Sequence, residues 1–166
     1  MDKISILLIC TGNICRSPMA EAVFRHHVEE AGLADCVTVA SAGTHDYNIG
    51  QEPDERALNA VAGRGYRMDN MRARQISKAD FRYFDYLLAM DRGNLAILKK
   101  LCPSDCAHKL GLFMQYSASY PGHEIFDPYH GGNSSFELVL DMVENAATGL
   151  LEHISRELIA HNSKAR

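Results

Sequence analysis

The chain has 166 residues, 46% of them hydrophobic and 23% charged, the make-up expected of one globular domain, residues 1–166, with a core of its own. Its formal net charge of −4 argues against a general binder of nucleic acid or of anionic membranes, because both partners call for a basic excess. An anionic substrate stays open, since a small site can be locally positive on an acidic protein.

Strand and helix patterns alternate along the chain. Ile4–Ile9 is a continuous apolar run, as in a strand buried on both faces. A polar turn, Thr11 to Arg16, comes next, and Ser17-Pro18 reads as N-cap and first residue of a helix. That helix carries Met19, Val23, Phe24, His27, Val28 and Ala31 at helical spacing and stops at Gly32. Val37–Ala40 reads as a second strand that ends in the turn Ser41-Ala42-Gly43. A loop from Thr44 to Glu52 leads to a helix starting at Pro53 and ending near Gly63–Gly65. Ser77 reads as the N-cap of a short helix through Phe81. Tyr86–Met90 is a third buried strand, Asn94 to Leu101 a helix closed by Pro103, and Leu110–Met114 a fourth strand interrupted by Gly111. A loop rich in Gly, Pro and Tyr runs from Ser117 to Asn133, before a long amphipathic helix from Ser134 to about His161. The alternation predicts an α/β fold: a four-stranded parallel sheet with helices on both faces, flavodoxin- or Rossmann-like, in three layers. Ligands of such sheets bind beyond the carboxyl ends of the strands. The loop after the first strand is therefore where chemistry is expected.

Five cysteines (Cys10, Cys15, Cys36, Cys102 and Cys106) are an odd number, and the start MDKISILLIC has neither the longer apolar core nor the cleavage site of an export signal. The expected setting is the reducing cytoplasm, with thiols serving catalysis, redox chemistry or packing. No apolar run is long enough to span a bilayer.

The segment Cys10-Thr11-Gly12-Asn13-Ile14-Cys15-Arg16-Ser17-Pro18 suits one mechanism. A phosphate dianion needs many N–H donors and a positive charge. A short loop that wraps and then enters a helix aims successive amides at its centre. Gly12 and Asn13 tolerate the left-handed angles that wrapping requires. Arg16 offers a bidentate fork, and Ser17 can cap the helix and reach the Cys10 sulfur. The helix N-terminus and Arg16 both favour a thiolate at Cys10, placed for in-line attack on phosphorus. The loop alone leaves a phosphatase, an arsenate reductase and a phosphate-binding module open.

With Met19-Ala20-Glu21 added, the segment resembles the signature of the low molecular weight protein tyrosine phosphatases, CxGNICRSPxAE. The resemblance extends to Ser41-Ala42-Gly43-Thr44, Ala73-Arg74-Gln75-Ile76, Phe84-Asp85-Tyr86 with Met90-Asp91, and Asp127-Pro128-Tyr129. It implies a protein-tyrosine phosphatase acting through a cysteinyl-phosphate, without metal or other cofactor. Cys10, Arg16 and Asp127 would be its catalytic residues, and Thr11, Gly12, Asn13, Ile14, Cys15 and Ser17 its phosphate-binding loop. Composition cannot select an acid among 21 acidic residues. Position places Asp127 in the loop after the last strand, on the side where Cys10 opens, and the resemblance makes it the general acid. Tyr47 and Tyr129 are candidate walls for an aryl group, Thr11 a rim residue that tunes substrate choice, and Asn13, Ser41 and Asp91 supports of the loop. In the family the second cysteine, here Cys15, can form a reversible disulfide with Cys10 that guards it against over-oxidation. Many relatives carry His where this chain has Met71, so the hydrogen bond which that His makes to the loop must be absent or replaced. The implied partners are a phosphotyrosine protein, in bacteria often a tyrosine kinase, and phosphate or other oxyanions in the site. The chain is expected to be a monomer or a weak homodimer.

Three rival readings are weighed at this level, and against the first, a non-catalytic phosphotyrosine-binding module, stand Cys10, Arg16 and Asp127 together, since binding alone needs neither thiol nor acid. A thioredoxin-coupled arsenate reductase would need two further redox cysteines near the end of the third strand, where Leu87-Leu88-Ala89-Met90-Asp91 has none; Cys102 and Cys106 come later, around Pro103. A metal site at Cys102, Cys106 and His108 lacks the paired spacing of structural zinc.

Overall fold

The computed structural model describes residues 3–164; residues 1, 2, 165 and 166 of the expected domain lie outside it. Four strands, β1 (Ile4–Cys10), β2 (Val37–Gly43), β3 (Tyr86–Ala89) and β4 (Leu110–Leu112), form one parallel sheet in the order β2-β1-β3-β4. Register pairs Ile4 with Val37 and Cys10 with Gly43 on one side of β1, and Ile6 with Tyr86 on the other. The chain leaves β1 toward β2 on one side and later returns to β3 on its other side. The order therefore reverses at β1, which opens a crevice beyond the carboxyl ends of β1 and β3.

The two faces of β1 feed two cores. Ile4, Ile6, Leu8 and Cys10 belong to the larger one, Leu7 and Ile9 to the smaller one. The period of two along a strand sends alternate side chains to opposite faces, and both faces are covered, so the run reads as continuously apolar. Helices α1 (Arg16–Glu30), α2 (Glu55–Gly63) and α5 (Asn133–Lys164) pack on the first face; α3 (Lys78–Tyr83) and α4 (Arg92–Leu101) pack on the second. The expected α/β sandwich is thus the observed one. No helix among the described residues is long and apolar enough to cross a membrane.

Helix ends differ from their expected places where a polar side chain outcompetes local propensity. Helix α1 begins at Arg16 with Cys15 as a cap that offers no side-chain bond, so Ser17 is not its N-cap. The Ser17 hydroxyl is committed to the loop instead. Helix α2 starts after Asp54, whose Oδ1 accepts from the Arg56 amide at 2.9 Å, rather than at Pro53. Helix α4 starts after Asp91, which caps the Asn94 amide at 2.7 Å, rather than at Asn94. Strand β2 continues through Gly43 rather than turning at Ser41, because its last residues pair with the end of β1. Strand β4 ends at Leu112, and Phe113–Tyr116 form a 3₁₀ turn that buries Phe113 and Met114. Gly32 does end α1: at φ +72° it lets Leu33 donate to the Val28 carbonyl and its own amide to that of Glu29.

Helix α5 buries Phe136, Val139, Leu140, Val143, Ala146, Ala147, Leu150, Ile154 and Leu158 along one stripe. Its Gly149 lies against the 3₁₀ turn so closely that a Cβ there would stand 1.8 Å from the Tyr116 carbonyl oxygen. In an exposed helix, Gly→Ala gains about 1 kcal/mol. Here Gly149→Ala should instead lose roughly 3 kcal/mol through overpacking against backbone, read as a lower urea midpoint. A midpoint at or above that of the native chain would contradict the packing described.

Candidate active site

The chain leaves β1 at Cys10 and enters α1 at Arg16, and the loop between is held from outside by the segment 44–54. Thr44 N donates to the Cys10 carbonyl at 2.9 Å, His45 N to Thr11 O at 3.1 Å and Asp54 N to Ile14 O at 2.8 Å. Asn48 Nδ2 donates to Gly12 O at 3.4 Å. With these carbonyls bonded outward, loop amides are left to face the centre. The Asn13 amide does so, 3.3 Å from the Cys10 sulfur. The first backbone bond of α1 is Met19 N to Cys15 O, so the amides of Arg16 and Ser17 precede the helical ladder, and Pro18 has no N–H. The site therefore combines a helix N-terminus with a ring of amides, the arrangement that binds phosphate.

Asn13 organises the loop. It is the loop residue at positive φ, +60°, and it is 3% exposed. Its Nδ2 donates to Ser17 Oγ at 2.8 Å and to Ser41 Oγ at 2.9 Å, and its Oδ1 accepts from the Arg74 amide at 3.0 Å. Ser17 Oγ in turn lies 3.0 Å from the Cys10 sulfur. These three partners fill the Asn13 amide without residue 71, and Met71 packs against the larger core. Gly12 differs from expectation: its φ is not positive, and its lack of a side chain serves Asn48, since a Cβ would meet Asn48 Nδ2 at 2.4 Å. Gly43 has a similar use, because a Cβ there would stand 2.7 Å from Thr11 O.

Arg16 is buried and fixed from the β3 side. Its Nη1 donates to Asp91 Oδ2 at 2.6 Å and to the Ile125 carbonyl at 2.9 Å, and its Nη2 donates to Thr11 Oγ1 at 3.3 Å. Nε and the second Nη2 proton have no partner among the described residues, which leaves one edge of the guanidinium for an anion. Asp91 thus holds Arg16 with one oxygen and caps α4 with the other.

Cys10, Thr11, Gly12, Ile14, Cys15, Arg16, Tyr47, Asn48, Asp127 and Tyr129 line one cleft of about 320 Å³. Tyr47 is 68% exposed and stacks on His45 at 4.8 Å between ring centroids. Asp127 Oδ1 accepts from the Tyr129 amide at 3.0 Å, which turns the chain at Pro128 and leaves Oδ2 toward solvent. The turn is anchored by Arg56, which donates to the carbonyls of Tyr129 at 2.9 Å and Gly131 at 3.0 Å, pairs with Asp54, and lies over the Phe136 ring. Burial, with the charges of Asp54, Cys10 and Asp127 adding to it, pushes the Cys15 thiol up to about 12. Cys15 is therefore a protonated thiol at neutral pH.

Of the residues named from the sequence, Cys10, Thr11, Gly12, Ile14, Cys15, Arg16, Tyr47, Asp127 and Tyr129 line this cleft, whereas Asn13 and Ser17 lie behind it. Sequence reasoning missed Asn48, Arg56, Arg74 and Asn94, whose roles depend on partners from 36 to 83 positions away and leave no local pattern. Arg56, two residues after the N-cap Asp54, carried a readable hint, since an arginine that close to a carboxylate can pair with it. Cys102 and Cys106 lie in the other core, at the far end of α4 from Asp91. Ten helical residues, about 15 Å, separate them from the carboxyl end of the sheet. Among the described residues no group of His, Cys, Asp or Glu converges as a metal site.

The family model of the low molecular weight phosphotyrosine protein phosphatases matches residues 5–160. A low molecular weight protein-tyrosine-phosphatase of Streptomyces coelicolor is 42% identical over 156 residues, covering 92% of this chain and 94% of the relative. A low molecular weight phosphotyrosine protein phosphatase of Schizosaccharomyces pombe is 42% identical over 135 residues, 81% of this chain and 86% of the relative. Among solved structures, the protein tyrosine phosphatase of Entamoeba histolytica with Hepes in its active site superposes with a TM-score of 0.91 at 34% identity, over 93% of this chain and 99% of that one. These matches give the arsenate reductase alternative no support, in agreement with the position of Cys102 and Cys106. The chain belongs to the low molecular weight phosphotyrosine protein phosphatases and is a hydrolase of that family.

Proposed function

We propose that this chain hydrolyses phosphotyrosine in proteins, and small aryl phosphates, in two steps through a cysteinyl-phosphate. One observation carries the reading: Cys10 and Arg16 line the same cleft as Asp127, with the Asn13 amide donating to the Cys10 sulfur and the Ser17 hydroxyl 3.0 Å from it. Cys10 attacks phosphorus from the base of the loop. The free guanidinium edge of Arg16 and the inward amides hold the equatorial oxygens. Asp127 gives its proton to the departing phenolate, then takes one from the water that cleaves the S–P bond and releases phosphate. Ser17 donates to the sulfur as it leaves. Asp91 and Ile125 O keep the guanidinium still, so positioning cost is met before substrate binds. Tyr47 and Tyr129 flank the aryl ring. An alkyl ester such as phosphoserine has a poorer leaving group and gains nothing from these walls.

Cys15 is the guard of the nucleophile in this reading. Oxidation of Cys10 by peroxide gives a sulfenic acid; the Cys15 sulfur attacks it, a disulfide forms and water leaves. The attacking species is the thiolate. With the Cys15 thiol held up to about 12, its thiolate fraction grows with pH throughout the neutral range.

Turnover of para-nitrophenyl phosphate should be abolished in Cys10→Ser; residual native-like turnover would refute the nucleophile. Asp127→Ala should slow aryl phosphates with poor leaving groups by about 10²–10⁴-fold and those with good leaving groups far less. Equal slowing would exclude Asp127 as the acid. After a peroxide pulse, loss of two hydrogens by mass spectrometry should appear faster at pH 8.5 than at pH 7, and not at all in Cys15→Ala, whose activity a reductant should fail to restore. Full recovery of Cys15→Ala would remove the guard role.

A further inference from the structure

We infer that Thr11 donates its hydroxyl proton to an oxygen of the bound phosphoryl group and that Asn94 is the positioning residue that aims it, an inference resting on the phosphatase reading above. Thr11 follows Cys10 directly and lines the cleft, half-buried. Its Oγ1 receives two donors, Arg16 Nη2 at 3.3 Å and Asn94 Nδ2 at 3.1 Å. A hydroxyl has two lone pairs and one proton. Both lone pairs are therefore engaged. The proton has no acceptor among the described residues, and the cleft is where it can find one. A charged guanidinium and an amide donating into the same oxygen also polarise the O–H bond and strengthen it as a donor.

The arrangement closes a ring. Asp91 Oδ2 holds Arg16 and Asp91 Oδ1 holds the Asn94 backbone amide, and Arg16 and Asn94 meet again on Thr11 Oγ1. One carboxylate thus sets both donors that orient the hydroxyl. Asn94 is 2% exposed, and its Oδ1 is the buried side-chain atom without a hydrogen-bond partner among the described residues. An unpaired buried acceptor destabilises a fold. An apolar residue of like shape would avoid that cost, so Asn94 is explained by what its Nδ2 does at Thr11. The ligand class is a tetrahedral oxyanion: a phosphoryl group, inorganic phosphate or vanadate. The hydroxyl is an additional donor beside the backbone ring and Arg16.

Thr11→Val keeps the side-chain shape and removes the hydroxyl. It should weaken inhibition by inorganic phosphate roughly tenfold and lower kcat/KM for para-nitrophenyl phosphate by a similar factor, the loss expected for one hydrogen bond to a charged group. Its Tm without ligand should fall, because Asn94 Nδ2 and Arg16 Nη2 lose an acceptor, and the further Tm rise given by phosphate should shrink. Thr11→Ser should restore most of the affinity. Asn94→Leu should weaken phosphate severalfold without lowering Tm, and the double variant should bind no worse than Thr11→Val alone. Phosphate inhibition unchanged in Thr11→Val would overturn the inference, since the hydroxyl would then be spent within the protein. Additive losses in the double variant, or a lowered Tm in Asn94→Leu, would overturn the role of Asn94. A native chain that neither turns over aryl phosphate nor binds phosphate would overturn the phosphatase reading itself, and this inference with it.

Discussion

The site depends on one buried amide side chain, that of Asn13. Its backbone takes the left-handed turn that a wrapping loop needs, and its side chain ties that turn to three separate elements: Ser17 on α1, Ser41 on β2 and the strap at Arg74. A non-glycine residue at positive φ carries strain. Three hydrogen bonds in a buried setting hold the strain in place, because breaking any of them would leave a polar group unpaired. The consequence is directional. The Ser17 hydroxyl is brought to the Cys10 sulfur, the loop carbonyls turn out to the segment 44–54, and the amides turn in.

The second constraint is electrostatic. Arg16 is 2% exposed and is paired with Asp91, which is more open to solvent. A buried ion pair adds little net stability, since desolvation offsets most of the attraction. Its value here is orientation: one nitrogen is saturated by Asp91 and Ile125, which leaves the opposite edge of the guanidinium for an anion. The reversal of strand order at β1 makes this pairing possible, because it sets the ends of β1 and β3 side by side. Asp127 is supplied differently, from a loop that has few apolar anchors of its own. Arg56 provides the anchor by gripping the carbonyls on the far side of Pro128 and resting on Phe136.

The two ends of the sheet are used unequally. The carboxyl end holds Cys10, Cys15, Arg16 and Asp127. The amino end holds Cys102 and Cys106 in a separate apolar core. Thiol chemistry at one end is insulated from thiols at the other by the length of α4, which is why a relay of the arsenate reductase kind does not fit this chain.

The sequence by itself determined the elements and the chemistry of the loop. A strand buried on both faces must read as an apolar run, and a phosphate cradle must place its cysteine, its arginine and its turn residues within one short segment, so both are local and legible. The spacing of Cys10 to Ser17 also carried the family resemblance that singled out Asp127. Only the tertiary structure decided which side chains hold the cradle. Asn48, Arg74, Asn94 and Arg56 act on partners distant in sequence, and those partners leave no local pattern. Ser17 illustrates the limit: beside Pro18 it has the local features of a helix cap, yet it lies within the helix because Asn13 and Cys10 claim its hydroxyl. Local propensity is worth about 1 kcal/mol at such a cap, and a buried network reaching across three elements outweighs it.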